Sequence, residues 1–162
     1  MAAVTAGPTM LHRLPSDGPV PAPTLLTRPF WDGCSRGELL FQRCQSCAAA
    51  NFEPAPGCRS CGSNGLTWER GSGRGRLYSW VVIERPQSPH FMVPYACGIV
   101  ELEEGYRMLA TVAECAAEDL ADGLPLVVDF QLSVRGQWLP FVRPPHPAQP
   151  PGPAADRRAA GR

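Results

Sequence analysis

The feature that most constrains this chain is a pair of Cys-x-x-Cys knuckles, Cys44-Gln-Ser-Cys47 and Cys58-Arg-Ser-Cys61, separated by ten residues. Each knuckle presents two thiolates from one tight turn, and two facing knuckles complete a tetrahedron of four sulfurs. That donor set suits a structural zinc ion, and four protein ligands leave no coordination position for water or substrate. Iron in a rubredoxin-like site takes the same four thiolates, and spacing does not separate the two metals. Gly62 follows the second knuckle, where positive φ lets backbone amides face the sulfurs. Ala48 stands at the equivalent place after the first, which predicts backbone strain without loss of a ligand. Disulfides compete poorly with the metal reading, because the N-terminus lacks the charged start and continuous apolar core of a secretion signal. A redox dithiol needs only one knuckle.

The surrounding composition limits how much of the chain folds. Much of the proline, 19 residues of 162, lies in residues 1–23 and 144–162, where no apolar period runs. Both ends read as disordered tails. No apolar run approaches the roughly 20 residues of a membrane helix, so no membrane is expected. Seven cysteines without a secretion signal point to a reducing cytoplasm.

Between the tails, a short helix is predicted within 24–38, with Thr27 as cap, Pro29 in the first turn and Gly37 as stop. Leu26, Phe30 and Trp31 give it an apolar surface, which is either a satellite of the core or a docking face for a partner protein. Residues 39–70 read as a zinc ribbon, with strands at Leu39–Arg43 and Leu66–Arg70 and a return through Asn51. Gly71-Ser-Gly-Arg-Gly75 separates it from a β-rich stretch, 71–143. That stretch has strands at Leu77–Glu84, Tyr95–Leu102, Tyr106–Val112, Leu126–Val134 and Trp138–Val142, a hairpin at Glu103-Glu104-Gly105 and a helical turn at Glu118–Gly123. The expected fold is mainly β: an N-terminal helix, a rubredoxin-like zinc ribbon and a five-stranded oligonucleotide/oligosaccharide-binding (OB) barrel. An SH3-like barrel is the structural alternative.

Several motifs in series resemble a known family. These are Phe30-Trp31, Gly37-Glu-Leu39, Arg43-Cys-Gln-Ser-Cys47, Phe52-x-Pro54, Cys58-x-x-Cys-Gly-Ser63, Leu66-x-Trp68, Ser72-Gly-Arg-Gly-x-Leu-Tyr-Ser79, Pro94 and Leu139-Pro-Phe141. Over about residues 27–143 they resemble the zinc-ribbon/OB-fold accessory proteins that partner thiolases, thiolase-like aldolases and MaoC-type acyl-CoA hydratases. The resemblance implies a non-catalytic subunit that bridges or covers an acyl-CoA site, with steroid side-chain degradation as one setting. No hydratase domain is fused in this sequence, so its enzyme would be met in trans.

The residues offer little catalysis of their own. His12 and His146 fall in the presumed tails, and His90 sits in a loop beside Pro89 without a nucleophile and carboxylate nearby in sequence. Arg70, Arg74 and Arg76 in a glycine-rich stretch are candidates for gripping the phosphates of CoA; the plainer reading is a solvated linker. Single-stranded nucleic acid is the alternative ligand, with Tyr78, Trp80, Phe91 and Tyr95 as stacking platforms. A formal net charge of zero argues against it. A plain assembly scaffold is a third possibility.

Overall fold

The computed structural model describes residues 7–15 and 17–146. One α-helix among the described residues, α1 (Arg28–Ser35), precedes a small antiparallel sheet of β1 (Leu40–Cys44), β2 (Ala50–Asn51) and β3 (Leu66–Arg70), in the order β2-β1-β3. Thr27 occupies the N-cap position of α1, but its hydroxyl accepts from the Thr24 N–H at 2.9 Å and makes no bond to the helix itself. β1 is covered on both faces. Phe41 is 1% exposed, and Gln42 on the other face is satisfied by the Ala55 N–H at 2.8 Å. A buried amide is tolerated there because its acceptor is paired.

The second module is a closed barrel of β4 (Arg74–Ile83), β5 (Tyr95–Leu102), β6 (Arg107–Val112), β7 (Pro125–Leu132) and β8 (Trp138–Arg143), in the order β4-β5-β6-β8-β7. Every pairing is antiparallel except β6 with β8, parallel at Val112 and Val142. Five strands in this Greek-key order make the OB barrel the sequence predicts. Inward residues such as Leu77, Ala96, Val100, Val112, Leu126 and Val142 are each no more than 2% exposed. Two positions require glycine for the strands to curve this tightly. A Cβ on Gly75 would lie 2.5 Å from the Glu101 carbonyl oxygen, and one on Gly98 would lie 2.7 Å from the Leu77 side chain.

The two modules share one core. A chain of rings runs from Trp31 to Phe30 (4.8 Å), Phe52 (5.6 Å), Tyr106 (5.0 Å) and Phe41 (5.3 Å), joining helix, ribbon and barrel hairpin. Such pairs contribute about 0.5–1.5 kcal/mol each beyond burial. The helix α1 packs against both β1 and β8. The glycine-rich stretch between modules is pinned at each step: Gly71 N–H to the Leu39 carbonyl, Ser72 N–H to the Glu104 carboxylate, and Val128 N–H to the Gly73 carbonyl. Arg74 is already in β4, paired with Val127. A loose linker is therefore replaced by a strand entry.

The expectation of a disordered tail over 1–23 is corrected between Thr9 and Leu14. Leu11 is 5% exposed and its N–H reaches the Cys115 carbonyl, Met10 bridges Ala116, and the His12 N–H reaches the Pro94 carbonyl. Gln131 donates to the Leu14 carbonyl at 2.8 Å. The segment is a strap along the barrel, held largely by backbone bonds and by the Glu118 and Gln131 side chains, so no apolar period announced it. Residues 1–6, residue 16 and most of the expected tail at 144–162 lie outside the described residues. Among the described residues, no helix is long and apolar enough to cross a membrane.

Candidate metal centre and docking surface

The ribbon brings Cys44, Cys47, Cys58 and Cys61 together with all four sulfurs within 4.8 Å of one another. Cys44 Sγ and Cys61 Sγ are 3.6 Å apart, and Cys47 Sγ and Cys58 Sγ 3.7 Å. Sulfurs at about 2.3 Å from a tetrahedral zinc stand about 3.8 Å from each other, so the donor set fits a divalent ion. A disulfide requires about 2.05 Å, and all seven cysteines are free thiols. The knuckles repeat one geometry. The Ala48 N–H returns to the Cys44 carbonyl at 2.9 Å, and the Gly62 N–H to the Cys58 carbonyl at 2.9 Å.

Ala48 holds a φ of 59° where Gly62 holds 75°. This is the strain expected from the alanine. A left-handed alanine costs about 1–2 kcal/mol, partly offset in the unfolded state by its lower entropy relative to glycine. Ala48→Gly is accordingly expected to stabilise the loaded ribbon by about 0.5–1 kcal/mol in denaturant titration, with metal content unchanged.

Burial disfavours the Cys58 thiolate, but the backbone N–H groups of Cys61 and Ser60 and the Asn51 side chain outweigh it and bring the thiol down to about 6. Ser60 N lies 3.4 Å and Asn51 Nδ2 3.6 Å from that sulfur. Four sulfurs at these distances can all be ionised only around a cation, because their mutual repulsion is otherwise uncompensated.

The arginines are less convergent. Arg74 is held by Glu103 at 3.0 Å, and its guanidinium is pushed up by that hydrogen bond and charge. Arg76 donates to the Gly123 carbonyl at 3.3 Å, and Arg70 lies 3.8 Å from Glu38. Arg74 and Arg76, two residues apart on β4, line one groove of about 320 Å³ together with Glu101, Glu103 and Pro125. Arg70 is not among the residues lining it.

The apolar surface of α1 divides. Phe30 is 6% exposed and packs on Trp31 and Phe52, so most of its ring belongs to the shared core, with an edge left lining the adjoining groove. Leu26 is 39% exposed and Trp31 half-buried. With Phe52, Pro54, Leu109 and Pro140, Trp31 lines a groove of about 360 Å³ where helix, ribbon and barrel meet. Leu109 is 73% exposed at its edge. The stacking platforms also divide: Tyr78 and Trp80 are on the surface, whereas Tyr95 is 4% exposed with Phe91 stacked on it at 5.7 Å. Sequence reasoning missed Phe52, Tyr106 and Asn51 as parts of the joint and the centre. An aromatic flanked by polar residues and an asparagine near a turn carry no local sign of burial.

A four-cysteine ribbon fused through a common core to an OB barrel defines a two-module class, and the comparisons place the chain within it. Residues 31–67 match the family model described as the ChsH2 rubredoxin-like zinc ribbon domain, and residues 68–131 match the ChsH2 C-terminal OB-fold domain. The chain belongs to the ChsH2/DUF35 family of zinc-ribbon/OB-fold proteins. It superposes on a chain of a solved Ltp2-ChsH2(DUF35) aldolase with a TM-score of 0.71 at 30% identity, covering 77% of this chain and 98% of that one. It is 32% identical over 121 residues to a probable enoyl-CoA hydratase alpha subunit of Thermomonospora curvata, 74% of this chain and 38% of that protein. It is 35% identical over 104 residues to the 3-oxo-4,17-pregnadiene-20-carboxyl-CoA hydratase alpha subunit of Mycobacterium tuberculosis, 62% of this chain and 33% of that protein. A DUF35 domain-containing scaffold protein of Methanothermobacter thermautotrophicus is 32% identical over 90 residues, 54% of this chain and 68% of its own length. The chain thus spans about a third of the two hydratase subunits it matches.

Proposed function

We propose that this chain is a non-catalytic accessory subunit that binds a thiolase-like aldolase, a thiolase or a MaoC-like hydratase acting on acyl-CoA thioesters. The observation that carries the reading is its match over 98% of a chain from an Ltp2-ChsH2(DUF35) aldolase. The scaffold and hydratase-subunit names of its relatives support the same role. The name of the mycobacterial relative favours a steroid-derived acyl group. In this reading Cys44, Cys47, Cys58 and Cys61 hold zinc as a structural ion. The metal keeps the ribbon at a fixed angle to the barrel, and the groove beside Trp31 and Leu26 receives the enzyme. A reducing cytoplasm suits seven unpaired thiols.

A contribution to the CoA site through Arg70, Arg74 and Arg76 is the finer part of this proposal. Arg76 is its best candidate, since phosphate at Arg74 has to displace Glu103. Arg74→Ala and Arg76→Ala that leave acyl-CoA affinity of the reconstituted complex unchanged would remove CoA contact from the reading.

Co-expression with a thiolase-like aldolase, thiolase or MaoC-like hydratase from the same source is expected to give a co-purifying complex. The enzyme alone should be insoluble or inactive on its CoA thioester. Trp31→Ala and Leu26→Ala should weaken co-purification at least tenfold while leaving metal content intact. An enzyme fully active and soluble without this chain overturns the proposal.

A further inference from the structure

The amide of Asn51 makes more of the metal centre than a turn residue needs to. Asn51 is 4% exposed, ends β2 and pairs with Gln42 of β1, so its backbone is fixed by the sheet. Its Nδ2 donates to the Cys58 sulfur at 3.6 Å and to the Ala49 carbonyl at 3.0 Å, and its Oδ1 accepts from the Arg59 N–H at 2.9 Å. Ala49 follows the first knuckle, and Arg59 lies inside the second. One side chain therefore ties both knuckles together and also touches a ligand atom.

We propose that Asn51 is a positioning residue of the metal centre, one that holds the knuckles at ligand spacing and disperses negative charge from the Cys58 sulfur, so that bound metal is released slowly. The proposal rests on the four cysteines being a metal site. Four thiolates around a divalent ion carry a net charge of about −2, which burial disfavours unless N–H donors face the sulfurs. Cys58 receives such donors from the backbone of Ser60 and Cys61 and from the Asn51 side chain. Aspartate offers no N–H and brings a like charge to the thiolate. Leucine keeps the branched shape, though it is larger, and makes none of the three bonds. Asparagine satisfies both donors and its acceptor at once.

The test follows Zn²⁺ transfer from the purified full chain to a chromophoric chelator, with Co²⁺ substitution as a second readout. Asn51→Leu is expected to release Zn²⁺ about 10–100-fold faster, the range that loss of an outer-shell partner produces, and Asn51→Asp faster still. The sulfur-to-cobalt charge-transfer band should shift in both loaded variants as Cys58 becomes the stronger donor. Ser46→Ala is the control, because the Ser46 hydroxyl bonds the Ser63 hydroxyl at 2.9 Å and ties the knuckles without touching sulfur. It should release Zn²⁺ at the wild-type rate. Equal rates for Asn51→Leu and wild type, or a Ser46→Ala rate matching Asn51→Leu, overturn the proposal. A wild-type chain that takes up neither Zn²⁺ nor Co²⁺ overturns the metal centre itself, and the proposal with it.

Discussion

Cys58→Ser is expected to abolish stoichiometric metal binding and to unfold the ribbon while the barrel keeps its strands. The ribbon sheet has strands of five, two and five residues, far too small to stand on burial alone. Structural zinc contributes on the order of 10 kcal/mol or more to such a module. Hydrogen exchange should show the amides of β1 and β3 losing protection, while Val100 and Leu102 of β5 retain theirs. Acid should do the same to the wild type. N–H groups of Ser60, Cys61 and Asn51 hold the Cys58 thiol below its ordinary value, so the stabilisation its thiolate contributes is lost as pH falls. A bound cation competes with protons for the same sulfurs, so metal release is expected before pH 4 is reached. Metal fully retained at pH 4, or Cys58→Ser protein with protected ribbon amides, would contradict this account.

Phe41→Ala is expected to destabilise the protein by about 3–5 kcal/mol, the cost of truncating a fully buried phenylalanine. Phe41 is 1% exposed and lies on Tyr106, with the Arg43 guanidinium 4.7 Å above its ring. It is the point where the ribbon strand enters the core of the barrel side. Denaturant unfolding followed by tryptophan fluorescence measures the change, since Trp31 and Trp68 report the helix and ribbon and Trp80 and Trp138 the barrel. Wild type should unfold in one transition, whereas the variant should lose the ribbon signal first. A loss of less than about 1 kcal/mol would mean that metal and backbone alone hold the modules together.

The strands were the most legible part of the fold. Tyr95–Leu102 reads from sequence with the bounds that β5 has, because the run lies between Pro94 and the Glu103-Glu104-Gly105 hairpin turn. The sulfurs of the metal centre were equally legible, since ligand spacing is a local property of each knuckle. The direction of Phe30 was not legible. A short amphipathic helix announces an apolar face but not what covers it, and Phe52 arrives there from 22 positions further along the chain. The strap through Leu11 escaped for a different reason: its partners, backbone carbonyls and the Gln131 and Glu118 side chains, lie far along the chain, and its proline-rich surroundings carry the composition of a tail.

The sequence by itself determined the spacing of the four cysteines and the positions of most of the barrel strands along the chain. Both follow from spacing or composition within a few residues, where covalent geometry limits the outcome, whereas the order in which the strands pair, β4-β5-β6-β8-β7, is set by packing. Only the tertiary structure decided that Phe30 is core while Trp31 and Leu26 stay at the surface, that Arg74 is occupied by Glu103, and that the Asn51 amide joins the two knuckles. Those contacts form between residues distant in the chain. Their partners are chosen by how the modules pack, which depends on the shape of the whole core.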